Sequence, residues 1–482
     1  MAMRTALVAA IAGACLVNTI ASAGELPQRV LRAGAYAIDI SPKQLPVLVN
    51  GGFTERLADK VVDPLHARCL VLDDGSGPIA IAVVDSCVIP LDLQEEAKRL
   101  AHEKTGIPVE RMLISATHSH SCPAVMSVLG TPRDEPYSAW LPGKIAEGIA
   151  TAKARLVPAR IGWAVGKDPE NVFCRRFRMK PGTAATNPFS GTANDQAQMN
   201  PGHQNPNAIE RTGPADTDVS VLSVQTADGK PLAVLGNYST HYAGAPAISA
   251  DYFGVFARRI KELVGGGDEF VGIMSNGTSG DANCLDFVNP PRKFDHVSVG
   301  EDTAQAAYQA YQTIKYYDWV PVVMAETRLA LGVRKPKPEE VIAAKEFLAG
   351  LAGRKPQSIP EVYALETLYI DEMPATRELK LQAIRLGELG IVAMPCEVYG
   401  STGLAIKARS PLKPTFSIEL ANGYDGYLPP PEQHALGGYT TWRARSSCLE
   451  VEAEPKILAA VLTLLEEVAS DRRDEPLVAA RH

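Results

Sequence analysis

The run Met112-Leu-Ile-Ser-Ala-Thr-His-Ser-His-Ser121 sets two histidines one residue apart at the end of an apolar stretch. Met112–Ala116 reads as a buried strand. Residues two apart on an extended chain point the same way, so His118 and His120 leave its tip side by side. Neutral imidazole is a favoured zinc ligand, and a histidine left free beside a metal can act as acid, base or donor to a developing oxyanion. The competing reading has one histidine capping a turn and the other facing water. Further polar groups end other apolar stretches: Asp85 after Ile79–Val84, His241 after 232–238, the loop 275–283 after 270–274, and Glu397 after 390–394. Groups delivered from distant strands to one edge of a sheet are how α/β proteins build sites. Two histidines and one carboxylate are the usual ligand set of a catalytic zinc that keeps a position open for water.

The elements that must position these residues follow from hydrophobic spacing. Strands are expected at 31–40, 68–72, Ile79–Val84, Met112–Ala116, 160–166 and 270–274, with hairpins at 219–224/232–238 and 378–386/390–394. Helices are expected at 93–104, 140–156, 252–264, 302–316, 338–351, 361–370 and 457–468. The first of these runs directly into the histidine strand, so that region reads strand, helix, strand. Between 181 and 214 the composition shifts to Asn, Gly, Pro, Thr and Gln without periodicity, which predicts a long structureless loop folding over the site. Strands and helices alternate with no internal repeat and no dividing linker. This predicts an α/β fold: one large catalytic domain, 24–482, with central mixed β-sheets wrapped by helices and a flexible tail at 472–482.

Of the 482 residues 46% are hydrophobic and 21% charged, an ordinary globular balance. The net charge of −7 comes without any basic stripe, which argues against a nucleic-acid partner. Residues 1–23 carry Arg4, an apolar run and Ala21-Ser-Ala23, the three zones of a secretory signal. Export to the periplasm or outside the cell is therefore expected, with a mature start at Gly24. A lipoprotein anchored through Cys15 is the second reading. No later stretch approaches the roughly 18 uninterrupted apolar residues of a membrane span. The eight cysteines form no compact framework. Cys122, Cys174, Cys284 and Cys396 fall within two residues of functional positions and read as small apolar fillers behind a crowded site.

Several of these segments resemble a known family. Thr117-His-Ser-His-Ser-Cys-Pro123 is similar to the Thr-His-Thr-His-Ser-Gly-Pro segment of the neutral, non-lysosomal ceramidases. Asn237-Tyr-Ser-Thr-His241 resembles the strand carrying that family's second histidine ligand, and Met394-Pro-Cys-Glu397 its Pro-Gly-Glu ligand segment. Asn422-Gly-Tyr-Asp-Gly-Tyr427 is similar to its Asn-x-Tyr-x-x-Tyr stretch. The resemblance implies zinc held by His118, His241, Glu397 and Tyr427, with His120, Arg175 and Tyr439 around the substrate carbonyl. It covers the catalytic region only, without the C-terminal immunoglobulin-like domain of longer members. The chain departs from the family at Gly280-Asp-Ala-Asn-Cys284, where Asn283 stands in place of a serine implicated in catalysis. An amide cannot be a serine-like nucleophile, but it can donate a hydrogen bond to a water or an oxyanion. Asp281 is expected to orient a ligand histidine or to fix the glycine loop.

These readings combine into an exported zinc hydrolase whose metal-activated water attacks an amide (N-acyl) bond of a small molecule. The alternative keeps fold and metal but cleaves an ester, lactone or glycosidic bond in a polar, sugar-like substrate. A third reading is a binding protein whose site has decayed.

Overall fold

A computed structural model describes residues 29–471; the expected leader, with Cys15 and Gly24, and the expected tail lie outside the described residues. Eight strands form the central sheet: β1 (Arg32–Asp39), β2 (His66–Asp73), β3 (Ile79–Val84), β4 (Met112–Ala116), β5 (Val157–Lys167), β6 (Asp218–Thr226), β7 (Pro231–Tyr238) and β8 (Val271–Asn276). Their order is β8-β7-β6-β5-β1-β2-β3-β4. The inner pairings are antiparallel, whereas both edge pairs, β7/β8 and β3/β4, are parallel.

One face of this sheet is covered by α1 (Leu91–Thr105), α2 (Glu135–Ala154), α3 (Asp251–Leu263) and α4 (His296–Tyr311). A parallel pair needs a crossover connection. Helix α1 provides it between β3 and β4, and α3 between β7 and β8. The two edges thus repeat one arrangement, a strand–helix–strand unit whose carboxyl ends carry polar loops. Ile38, Cys69, Val84 and Ile114 pack under α1 and α2, and Val221, Val234 and Met274 under α3 and α4. The opposite face packs Leu70, Ile81, Leu222 and Ile273 against Ile384, Ile391 and Phe416 of a second sheet. That sheet is β9 (Val322–Gly332), β10 (Thr376–Leu386), β11 (Leu389–Ala393) and β12 (Thr415–Ile418), in sequential order. The remaining long helices are α5 (Pro338–Ala349), α6 (Ile359–Glu372), α7 (Gly400–Arg409) and α8 (Ala453–Ser470), the last closing the far side of the second sheet. The expected mixed α/β architecture is what the chain adopts. Among the described residues no helix is long and apolar enough to cross a membrane.

The segment 419–422 after β12 settles where the site forms, because it bonds to both edges of the central sheet. Glu419 N donates to Asn276 O of β8 at 3.2 Å, Ala116 N of β4 to Leu420 O at 3.1 Å, and Asn422 N to Ile114 O at 2.9 Å. The sheet's two ends, and with them the loops after β4 and β7, are drawn to one place.

Four expectations need correction. The helix expected at 302–316 is α4 at His296–Tyr311, because the Asp295 side chain accepts Ser298 N and starts the helix six residues earlier. Residues 181–214 are not structureless: Ala197–Met199 and Ala208–Arg211 flank Arg176–Met179 in a three-stranded sheet. Strands of three or four residues are held by backbone bonds and leave no side-chain period to read. Helix α2 starts at Glu135 rather than 140, because Asp134 Oδ1 accepts Tyr137 N and the proline in the first turn has no N–H to lose. Asp85 stays away from the site; its carboxylate accepts Arg68 Nη1 at 2.7 Å and His66 N at 2.8 Å.

Candidate metal centre and active site

His118 follows β4 with φ +73°, a left-handed conformation that costs a non-glycine residue about 1–3 kcal/mol and persists only where the surroundings impose it. Its N–H is held by Ser86 O at 2.8 Å, and its Nδ1 lies 2.6 Å from Cys87 O. A carbonyl can only accept, so the ring proton sits on Nδ1 and Nε2 presents a bare lone pair. The same logic applies to His241, whose Nδ1 lies 3.1 Å from Ser279 O, and to His120, whose Nδ1 lies 3.0 Å from Gly51 O. Gly51 has φ +99°, and a Cβ there would come within 2.5 Å of the His120 ring, so this loop requires glycine.

Three imidazole Nε2 atoms therefore face one another. His118 Nε2 is 2.9 Å from His241 Nε2 and 3.2 Å from His120 Nε2. Glu397 Oε2 closes the group at 3.5 Å from His118 and 3.7 Å from His241, buried and without a hydrogen-bond donor. Acceptors crowded this closely repel unless a proton or a cation stands between them, and a cation at their centre would satisfy all of them at once. Tetrahedral bonds of about 2.0–2.2 Å put neighbouring ligand atoms about 3.3–3.6 Å apart; the separations of 2.9, 3.5 and 3.7 Å bracket that range, so His118, His241 and Glu397 could hold a divalent ion such as zinc after small side-chain adjustments. The residues are 2%, 1% and 2% exposed, which removes competing water.

Tyr427 reaches the same centre by a different route. The two-residue strands Glu397–Val398 and Tyr427–Leu428 pair in parallel, with Glu397 directly opposite Tyr427. Tyr424 OH donates to Glu397 Oε1 at 2.8 Å, which turns the free Oε2 toward the imidazoles. Burial, then the Glu397 carboxylate, push the Tyr427 phenol well above its ordinary pKa. A neighbouring cation acts in the opposite sense and is what would make the phenol a ligand. Tyr424→Phe is expected to weaken metal binding about 10- to 100-fold with the fold unchanged, as for other groups that orient ligands; metal titration checks it.

Arg175 is 3% exposed. Its Nη2 lies 3.2 Å from both ring nitrogens of His241, 3.2 Å from Gly280 O and 3.4 Å from Tyr427 OH. Tyr439 packs edge-on to Tyr427 with ring centroids 5.5 Å apart. Burial, then Glu397, raise its phenol, so it is a proton-bearing donor. His120 stacks on Tyr242 at 4.0 Å, and burial, then His118 and Arg175, hold it neutral well below the usual histidine pKa. His120, Arg175, His241, Tyr427 and Tyr439 line one cavity of about 260 Å³, whose outer wall includes Gln198 and Asn200. A larger groove of about 510 Å³, around Arg155, Lys230 and Phe270, has no histidine or cysteine in its wall.

Two expected site residues are placed elsewhere. Asp281 touches no histidine: its Oδ1 accepts Gly400 N at 2.8 Å at the amino end of α7, and its Oδ2 faces Cys174 Sγ at 3.6 Å. A carboxylate is favoured there by the unpaired N–H groups of the helix start. Asn283 lies behind Asn200 rather than on the cavity wall. Its Oδ1 accepts Leu285 N at 2.9 Å and its Nδ2 contacts Asn200 Oδ1 at 3.4 Å. The 281–283 backbone instead positions Arg175, through Ala282 paired with Cys174 and Arg175 N bonded to Asp281 O at 2.8 Å. Asn283→Ser is accordingly expected to change hydrolysis by less than about twofold and stability by under about 1 kcal/mol. A gain in amide cleavage would show that the hydroxyl reaches substrate.

The seven cysteines among the described residues are buried and unbonded. Sequence reasoning missed Cys87, Tyr242 and Glu419, and assigned no role to Tyr424.

Compared by sequence, the chain matches no family model. No curated protein matches it either. Compared by structure, it is similar to a neutral ceramidase from Pseudomonas aeruginosa, with a TM-score of 0.68 and 18% identity over 94% of this chain and 77% of that one. It is also similar to a ceramidase complexed with C2, at 0.65 and 17% over 94% and 78%. The fold is that of the neutral ceramidases. The neutral ceramidase fold is thus shared at an identity below the level at which fold carries activity with it.

Proposed function

We propose that this chain is an exported, zinc-dependent amide hydrolase, with residues 24–482 forming one catalytic unit. The observation that carries the reading is the cluster of His118, His241 and Glu397, which meets two adjoining cavities, one lined by His120, Arg175, His241 and Tyr439 and a smaller one lined by His118, His120, Glu397 and Tyr427. A divalent cation held there, with Tyr427 as fourth ligand, supplies Lewis-acid activation of water and of the scissile carbonyl. The chain's own residues do the rest. His120, its Nδ1 proton tied to Gly51, would take at Nε2 the proton lost by the attacking water and deliver it to the leaving nitrogen as the C–N bond breaks. The Tyr439 hydroxyl and the Arg175 guanidinium donate to the oxyanion as charge develops on it. No serine is needed on this route.

Gln198 and Asn200 in the cavity wall favour, as a second reading, the ester, lactone or glycosidic bond of a polar substrate. Metal analysis with a substrate panel decides. One zinc per chain, chelator-sensitive release of fatty acid from a short-chain ceramide, and recovery on adding zinc are expected. Cleavage of an ester or aryl glycoside with the amide intact would replace the first reading by the second. Metal content well below one that no added ion restores would make the chain a binding protein.

A further inference from the structure

Behind the cavity lies one buried acid to which no chemistry has yet been given. Glu419, 0% exposed, stands on the segment that joins the two edges of the central sheet. Its Oε1 accepts the Ser279 hydroxyl at 2.5 Å, and its Oε2 accepts the N–H groups of Ser279 at 3.2 Å and of Val398 at 2.7 Å. Each partner is one step from the metal centre. Ser279 O receives the Nδ1 proton of His241 at 3.1 Å, with Ser279 Oγ 3.3 Å from the same nitrogen, and Val398 follows Glu397 in the chain. One carboxylate therefore grips both the loop that aims a ligand imidazole and the strand that presents the ligand carboxylate.

We infer that Glu419 is a positioning residue of the metal centre: through Ser279 it fixes the tautomer and aim of His241, and through Val398 it fixes the place of Glu397. The inference rests on the metal reading proposed above. One feature favours it over an acid that merely knits the core together. Its hydrogen bonds go to donors in two separate ligand-bearing segments, Ser279 beside His241 and Val398 beside Glu397, so it ties the two segments to each other. Histidine ligands generally owe their orientation to such an outer partner. Here the carboxylate acts through a serine instead of touching the ring.

The test is zinc titration of the metal-free full-length protein, of Glu419→Gln and of Ser279→Ala by competition with a chromophoric chelator, with melting of each protein with and without zinc. Glu419→Gln keeps the shape and can keep one oxygen on the two N–H donors, but it sets an amide NH2 against the Ser279 hydroxyl and reverses that hydrogen bond beside His241 Nδ1. It is expected to weaken zinc binding about 10- to 100-fold and to shrink the zinc-induced rise in Tm. Ser279→Ala, which keeps the carbonyl used by His241, moves the same way by less. A structural role alone would lower Tm equally with and without zinc and leave Kd unchanged; that result in folded Glu419→Gln overturns the inference. If Glu419→Gln does not fold, an unaltered Kd in Ser279→Ala overturns it instead. Failure of the parent protein to bind zinc would sink the metal reading itself, and it is seen before any variant is made.

Discussion

Replacing His118 is expected to yield a folded protein without bound metal, whose hydrolytic activity is at least about a thousandfold below the parent. Losing the ion removes several kcal/mol of transition-state stabilisation, and each 1.36 kcal/mol is about tenfold in rate. No neighbour can take over cleanly. His120 Nε2 is near enough, at 3.2 Å, but its ring is held by Gly51 and by the Tyr242 stack. Two substitutions separate chemistry from backbone. At φ +73° asparagine is tolerated better than alanine, so His118→Asn keeps more stability than His118→Ala while both lose the ion. Metal analysis, melting and steady-state rates on the three proteins check this. Full turnover in either variant would contradict the assignment of His118 as a ligand.

The second large effect is expected at Arg175, and its sign pattern is different. The guanidinium sits against His241 and Tyr427, so it carries positive charge beside a centre argued to hold a cation. That placement does nothing for ion retention by direct Coulomb interaction, since like charges repel. Its benefit is to a developing oxyanion in the cavity. Arg175→Met, similar in length but neutral, is therefore expected to retain its metal while kcat/KM falls about 10²–10³-fold, the usual loss of one oxyanion donor. Joint loss of metal and activity would instead make Arg175 part of the scaffold that holds Tyr427. Metal content measured beside kcat/KM distinguishes the two.

Much of this site can be read from residues alone because strands that end in polar groups announce themselves. The bounds of β3 and β4 follow from runs that are apolar but for Ser115, and His118, His241 and Glu397 come within a few residues after the ends of β4, β7 and β11. Other features are silent. Strand β9 is half exposed along Met324, Glu326 and Arg328, so its polarity hides it, and β12 has only four residues. Glu419 looks like an ordinary acid after a short strand; its meaning arises only when Ser279 and Val398, distant in the chain, arrive beside it. Asp281 misleads for the opposite reason. An acid on the glycine loop beside the site reads as a partner for a ligand histidine, yet the start of α7 offers it a stronger claim through an unpaired N–H.

The closing of the two sheet edges by residues 419–422 also dictates a timetable for assembly. The ligands are spread from His118 to Tyr427, and the pieces that bring them together belong to the last third of the polypeptide. Contacts between such remote positions form late, after the loops between them have been closed. A nascent or clipped chain ending before residue 397 offers an incoming ion only the imidazoles, never the carboxylate or the phenol. On the proposed metal reading, tight ion capture would wait until residues up to Tyr427 are made, and a product truncated before residue 397 would hold the ion more weakly than the whole chain.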